Sequence, residues 1–240
     1  MRGTLTETLA AVERWLLPAA CLLCNEPVPA RENDGLVCDL CRLRWRPVPH
    51  PVCERCGQPS SRGLECRLCS TWPFGLSRAR SAVWLEDSAR DAVHQLKYEG
   101  WSRVADSMAE AMRGLQPLTA RVSLVPVPLG ARRQRKRGYN QSERIASALH
   151  VRTGLHLRTD LLLRVRETQT QTALTPESRH ANVMGAFSAS DSSGLDLVLV
   201  DDVFTTGATL AAAGAALIGS GANRVEAVTF ARAVVDLEMD

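Results

Sequence analysis

Residues 197–209 read LVLVDDVFTTGAT, an order that constrains this chain more than any other part of it. Leu197, Val198, Leu199 and Val200 form the short apolar run expected of a strand buried on both faces. Asp201 and Asp202 stand at its carboxyl end. The Thr and Gly residues that follow make a turn, and 208–218 is rich in strong helix formers. Backbone N–H groups of such a turn, at the positive end of a helix, can hold a phosphate. Two carboxylates beside it can grip a pair of vicinal hydroxyls. A phosphate next to a diol has the shape of a ribose 5-phosphate. An ordinary buried strand explains Leu197 to Val200, but it does not explain adjacent acids, which repel unless a ligand or cation uses them. In open α/β sheets, binding sites collect at strand carboxyl ends.

The stretch resembles the phosphoribosyl pyrophosphate (PRPP) signature of type I phosphoribosyltransferases, with no gap or departure over thirteen positions. The resemblance implies that Asp201 and Asp202 are the catalytic pair, holding the ribose 2- and 3-hydroxyls. It also implies that Thr205, Thr206, Gly207, Ala208 and Thr209 wrap the 5-phosphate.

All eight cysteines lie between 21 and 69, as four C-x-x-C pairs: Cys21/Cys24, Cys38/Cys41, Cys53/Cys56 and Cys66/Cys69. Each such turn points two sulfurs at one spot, which suits tetrahedral Zn²⁺, and four pairs make two Cys₄ sites with nothing left over. Disulfides suit secreted chains, and the start of this one has no signal-peptide core, because Glu7 and Glu13 interrupt it. Iron–sulfur clusters usually have less regular spacing. Sequential pairing, giving a double zinc ribbon, is the expected arrangement; a cross-braced one fits the spacing as well. A closed Cys₄ site has no open position, so the zinc is structural and supplies much of the folding free energy of this small module.

A length of 240 residues with 45% hydrophobic content allows one good core plus such a module. A net charge of +3 is too mild to argue for nucleic acid by itself. No apolar run is long enough to span a membrane, and the expected location is cytoplasmic. Leu5, Leu9, Val12 and Leu16 fall on one face of a helix ending before Pro18. The expected organisation is this helix plus double ribbon at 1–72, a linker at 73–81 and an α/β domain at 82–240. In the last, strands are expected at 82–85, 122–127, around 161–165, at the signature and at 225–230. Helices are expected from 87 or 88 to 98, and at 103–112, 142–152 and 208–218. Polar loops follow the strands at 122–127 and 161–165. This alternation predicts a mainly parallel sheet flanked by helices.

Three further segments carry chemistry: Lys97-Tyr98-Glu99-Gly100; PVP at 126 followed by RRQRKRGYNQS at 132–142; and 164–187, with Arg166, Gln171, Arg179, Asn182 and Gly185. With LPAACLLC and the signature, they resemble the ComF-like family, which joins a cysteine-rich domain to a type I phosphoribosyltransferase domain. The resemblance spans nearly the whole chain. It implies PRPP as ligand, Mg²⁺ bound with it, and a link to DNA uptake or DNA utilisation. Arg132, Arg133, Arg135, Lys136 and Arg137 place five cations within six residues. Arg137 and Gly138 are the expected pyrophosphate contacts, and the other cations are expected to be solvated. The stretch 166–179 resembles the flexible loop that closes over the donor, with Arg166 and Arg179 as its cations. It lacks the lysine that many type I transferases place there.

Lys97 suits a ligand role, or simply the helix end it occupies. No motif identifies an acceptor. A second class of function is therefore open: a catalytically silent adaptor that keeps the fold and binds single-stranded DNA, DNA-uptake proteins or other protein partners.

Overall fold

The computed structural model describes residues 20–28, 36–59, 66–70, 72–119, 121–167, 183 and 185–234. The expected N-terminal helix and residue Arg179 lie outside these.

The strands are β1 (Arg78–Trp84), β2 (Ser123–Pro126), β3 (His156–Leu157), β4 (Leu162–Arg164), β5 (Phe187–Ala189), β6 (Asp196–Phe204) and β7 (Arg224–Arg232). The helices are α1 (Asp39–Leu43), α2 (Arg67–Ser70), α3 (Asp87–Tyr98), α4 (Val104–Met112), α5 (Ala131–Arg137), α6 (Gln141–Thr153) and α7 (Ala208–Gly219). One sheet has the order β1-β7-β6-β2-β3, with every neighbour parallel. The signature strand β6 is its centre. Side chains of β6 and β7 alternate between two cores. Val198, Val200, Val228 and Phe230 pack with Leu96, Met108, Ile145 and Leu149 of α3, α4 and α6. Leu197, Leu199, Val225 and Ala227 pack on the other face with Leu210 and Leu217 of α7 and with Leu162 and Phe187. α6 begins at Asn140, whose side chain accepts from the Ser142 N–H, and stops at Gly154 in the left-handed conformation.

The eight cysteines gather in two clusters, Cys21/Cys24/Cys38/Cys41 and Cys53/Cys56/Cys66/Cys69, so the pairing is sequential. Each cluster joins a tight turn to a short helix. The Asn25 N–H bonds to the Cys21 carbonyl, and the Gly57 N–H repeats this with Cys53. Both residues take positive φ, as the turn requires. The partner cysteines begin or lie within α1 and α2. Cys24 and Cys38 sulfurs are 3.7 Å apart, and Cys53 and Cys69 sulfurs 3.8 Å apart. Four thiolates at about 2.3 Å from one zinc stand about 3.8 Å from each other, so both clusters fit a tetrahedral ion. Burial pushes the Cys69 thiol up to about 12, and the charges of Cys66 and Cys53 add to it. Burial pushes the Cys56 thiol up as well, and a divalent cation removes that obstacle to a full set of thiolates.

The ribbons straddle edge strand β1. Pro47 bridges to Val83, and the Trp84 N–H bonds to the Arg46 carbonyl. The Ala79 N–H bonds to the Arg55 carbonyl. An exposed sheet edge is thus covered. The first ribbon enters the core beneath α3 and α4, where Trp45 meets Phe230 edge-on at 4.8 Å. The second enters the core on the α7 face.

Four elements differ from expectation. Arg78 to Ser81, read as linker, belong to β1. Polar arginines disguised this strand, because Arg80 is buried and donates to carbonyls of the second ribbon. The polar loop after β2 contains α5. Its residues favour helix but none is buried, so no apolar period marks it. The strand expected around 161–165 leaves the main sheet and pairs antiparallel with β5, which was not foreseen. β3, with two residues, is too short for a pattern.

Two predictions follow from this architecture. Purified protein should carry two zinc ions per chain by atomic absorption, one for each cluster; iron, or no metal, contradicts the ribbon assignment. Trp45→Ala should lower stability by about 3–5 kcal/mol in denaturant titrations, as for other large aromatic truncations in a core.

Candidate functional site

The signature carboxylates are buried, Asp201 8% and Asp202 3% exposed. They lie within β6 rather than beyond it, because the strand runs on to Phe204. Asp201 is paired in register with Thr229 of β7. The Ser142 hydroxyl donates to Asp201 Oδ1 at 2.7 Å, and the Asp202 N–H donates to the same oxygen at 2.9 Å. Asp202 Oδ2 forms an ion pair with Lys97 Nζ, brought in by the last turn of α3.

Residues 137–142 stitch this centre together. Arg137 donates to Gln141 Oε1, and its guanidinium lies 5.6 Å from the centre of the Tyr98 ring. Gly138 closes α5 with φ 81°, a left-handed conformation that suits glycine. The Tyr139 hydroxyl donates to the Leu96 carbonyl, which ties α3 in place beside Lys97. Asn140 Nδ2 donates to the Val127 carbonyl at 3.0 Å, just past β2.

The turn at 205–209 leads into α7. Gly207 caps the helix with φ 78°. Thr206 is buried, and its hydroxyl accepts from the Ala208 N–H at 3.5 Å. The turn stands at the start of α7, where the helix dipole is positive and favours an anion. The turn follows the end of β6 directly, so the acid pair and the turn are contiguous.

Residues 12–70 match the double zinc ribbon domain family, and residues 111–240 match the phosphoribosyl transferase domain family. The chain is 33% identical over 220 residues to the DNA utilization protein YhgH of Salmonella typhimurium, covering 88% of this chain and 95% of that one. It is 26% identical over 220 residues to the competence protein ComFC of Bacillus subtilis, covering 84% and 89%. It is 37% identical over 92 residues to the competence protein F of Haemophilus influenzae, covering 37% and 40%. The chain belongs to the ComF-like family. Among the described residues of this ComF-like protein, no helix is long and apolar enough to cross a membrane.

The electrostatics of the acid pair are asymmetric. Burial, reinforced by the charge of Asp202, pushes the Asp201 carboxyl up to about 7. Burial acts on Asp202 in the same sense, but the Lys97 ammonium outweighs it and holds Asp202 below its ordinary value. Arg137 acts on Asp202 in the same direction as Lys97. Lys97 keeps its proton more tightly than usual; burial opposes this, and Asp202 and Asp201 overcome it. One acid is thus held charged while its neighbour is poised near neutrality.

Arg166 is exposed just after β4. Glu167 accepts from the Arg132 N–H at 2.9 Å and so tethers this segment to the start of α5. Arg164 was not singled out by sequence. Its guanidinium lies 5.2 Å from the Phe187 ring centre. Burial lowers its pKa, as do Arg133 and Arg166, while Glu167 and Asp201 act the other way. Four charged groups thus act on Arg164 electrostatically, including one of the acid pair. Lys97 was visible in KYEG with its role open, and the structure brings it to Asp202. Ser142 looked only like a helix start, and no local signal marked its bond to Asp201.

A pH dependence follows. Asp201 binds its proton more tightly in the folded protein than an ordinary aspartate, whose pKa is 3.8. Its contribution to stability is therefore full below about pH 4 and is lost as the pH rises through about 7. Asp201→Asn should escape this loss. The ligand-free variant should gain on the wild type between about pH 5 and pH 8, by at most about 1.4 kcal/mol per pH unit. Melting curves at both pH values check this; a constant difference contradicts the buried-proton assignment.

Proposed function

We propose that this protein binds PRPP at the carboxyl end of β6 and transfers its phosphoribosyl group to an acceptor, in the context of DNA utilisation or uptake. The observation that carries the reading is the contiguity of two buried carboxylates with the helix-opening turn at 205–209. In this reading Asp201 and Asp202 hold the ribose hydroxyls. Thr205, Thr206, Gly207, Ala208 and Thr209 wrap the 5-phosphate, and Arg137 with Gly138 faces the pyrophosphate. Arg166 and Arg179 belong to the segment that covers the donor. Covering would exclude water, which otherwise hydrolyses a reactive donor.

The chemistry is displacement at C1 of the ribose. The acceptor nucleophile forms a bond to C1 as the bond to the pyrophosphate oxygen breaks, through an oxocarbenium-like arrangement. The chain supplies position and charge complementarity. Asp202, kept ionised by Lys97, accepts a hydrogen bond from one ribose hydroxyl. Asp201 can accept from the other or, when protonated, donate to it. Mg²⁺, where bound with the donor, would supply charge neutralisation to the leaving pyrophosphate, whose oxygens are the hard donors it prefers. The relatives named for competence and DNA utilisation support the cellular context, with the cytoplasm as the expected location.

A second reading, an adaptor for single-stranded DNA, is favoured by α5, which carries Arg132, Arg133, Arg135, Lys136 and Arg137 and has no buried residue. Such a surface attracts phosphates without reading sequence.

Three measurements separate these readings. PRPP with Mg²⁺ should raise the melting temperature, and Asp201→Asn combined with Asp202→Asn should abolish the shift; a persisting shift sinks the site assignment. Pyrophosphate release assayed with a panel of nucleobases should then depend on one of them. For the adaptor, single-stranded DNA affinity should fall steeply with salt and on replacing Arg132, Arg133 and Arg135 by Ala. Salt-independent binding, or no effect of the triple variant, argues against it.

A further inference from the structure

The second cysteine cluster lies close to the turn that opens α7, and three side chains connect them. Trp72 follows Cys69 by three residues, and its N–H bonds to the Cys69 carbonyl at 3.2 Å, so the ligand turn fixes its position. The indole Nε1 donates to the Thr206 carbonyl at 3.0 Å, a buried bond between residues 134 apart in the chain. The ring also closes on Gly207: a Cβ there would stand 2.2 Å from Trp72 Cζ2. Arg55, between Cys53 and Cys56, lies 5.5 Å from the Trp72 ring centre. It donates to the carbonyls of Cys69, Pro73 and Leu76 at 3.0, 3.2 and 3.3 Å. Arg232 is fully buried, covers the Phe204 ring at 3.9 Å and donates to the Cys56 carbonyl. Phe204 and Thr206 flank the start of the turn. The first cluster makes its core contacts on the opposite face of the sheet, through Trp45 and Phe230.

We infer that Trp72 is a positioning residue for the 205–209 turn, and that metal bound by Cys53, Cys56, Cys66 and Cys69 holds the turn in its ligand-ready shape through it. The turn's ligand, a ribose 5-phosphate group, rests on the reading proposed above; the mechanical link rests on the contacts alone. The physical argument is one of preorganisation. A phosphate-binding turn works through N–H groups whose directions are set before the ligand arrives. Gly207 is held in a left-handed conformation by a ring on one side and the start of α7 on the other. The Thr206 carbonyl points toward the ribbon because the indole N–H satisfies it there. α2 has four residues and cannot hold itself as a helix. Without metal no coordinate bond joins the Cys66/Cys69 half to the Cys53/Cys56 half, and hydrogen bonds such as that of Arg55 to the Cys69 carbonyl remain. Trp72 is then held less firmly, and the turn loses part of the support that its indole N–H and ring provide.

The test combines hydrogen–deuterium exchange of residues 204–209 with calorimetric titration of ribose 5-phosphate. It uses full-length wild type, Trp72→Phe, Cys66→Ser and Cys38→Ser, each with its zinc content measured. Trp72→Phe keeps a ring but removes the N–H donor. Cys66→Ser opens the second cluster and Cys38→Ser the first. Trp72→Phe and Cys66→Ser should speed exchange at 204–209 and weaken ribose 5-phosphate about tenfold, the equivalent of one buried hydrogen bond. Cys38→Ser should leave both at wild-type values. Unchanged exchange in Trp72→Phe and Cys66→Ser overturns the link, as does equal loosening by Cys38→Ser. Should wild type fail to bind ribose 5-phosphate, the phosphoribosyl reading falls with the ligand-ready role, while the exchange data still decide the mechanical link.

Discussion

Two carboxylates buried side by side at the centre of a parallel sheet are electrostatically unfavourable, and the polar architecture around them exists to offset that cost. Lys97 arrives from α3, Ser142 from α6, and Arg137 from the end of α5. Each of these side chains is in turn held: α3 by the Tyr139 hydroxyl, α6 by its Asn140 cap, and Arg137 by Gln141 and Tyr98. Removing the requirement to place two acids there would leave little reason for this arrangement. The result is asymmetric: Asp202 is held charged, and Asp201 keeps its proton to well above the ordinary carboxylate range.

The cysteine-rich module has a structural consequence beyond its own fold. A five-stranded parallel sheet has two edges, and β1 would be an exposed one. Chain between the ribbons covers it, and each ribbon then enters a different core, one per sheet face. The two metal clusters are therefore neighbours in sequence with different mechanical surroundings. One supports the α3 and α4 face through Trp45. The other abuts the turn that follows the acid pair.

Legibility in the sequence varied with the range of the interaction. α3, α4, α6, α7 and the signature strand were readable because apolar spacing and end signals such as Gly154 act over a few residues. β1 and α5 were obscured because arginine reads as solvated surface. In β1, Arg80 is instead buried against ribbon carbonyls, and α5 buries nothing at all. The antiparallel pairing of β4 with β5 could not be foreseen because a three-residue strand does not say which partner it takes. At the site, the acids and the turn were readable as a motif, while the roles of Ser142 and Arg164 were not.

By itself the sequence determined the strand–turn–helix that carries Asp201, Asp202 and residues 205–209, and it determined eight thiols in pairs fit for two zinc ions. Both depend on spacing within a dozen or so residues, where backbone geometry leaves few options. Tertiary structure decided what stands around them. Ser142 reaches Asp201 across 59 residues of chain, and Trp72 reaches Thr206 across 134. Contacts of that range depend on how the sheet orders its strands and which face each helix covers. No local pattern carries that information, and the electrostatic state of the acid pair and the support of the turn were settled only there.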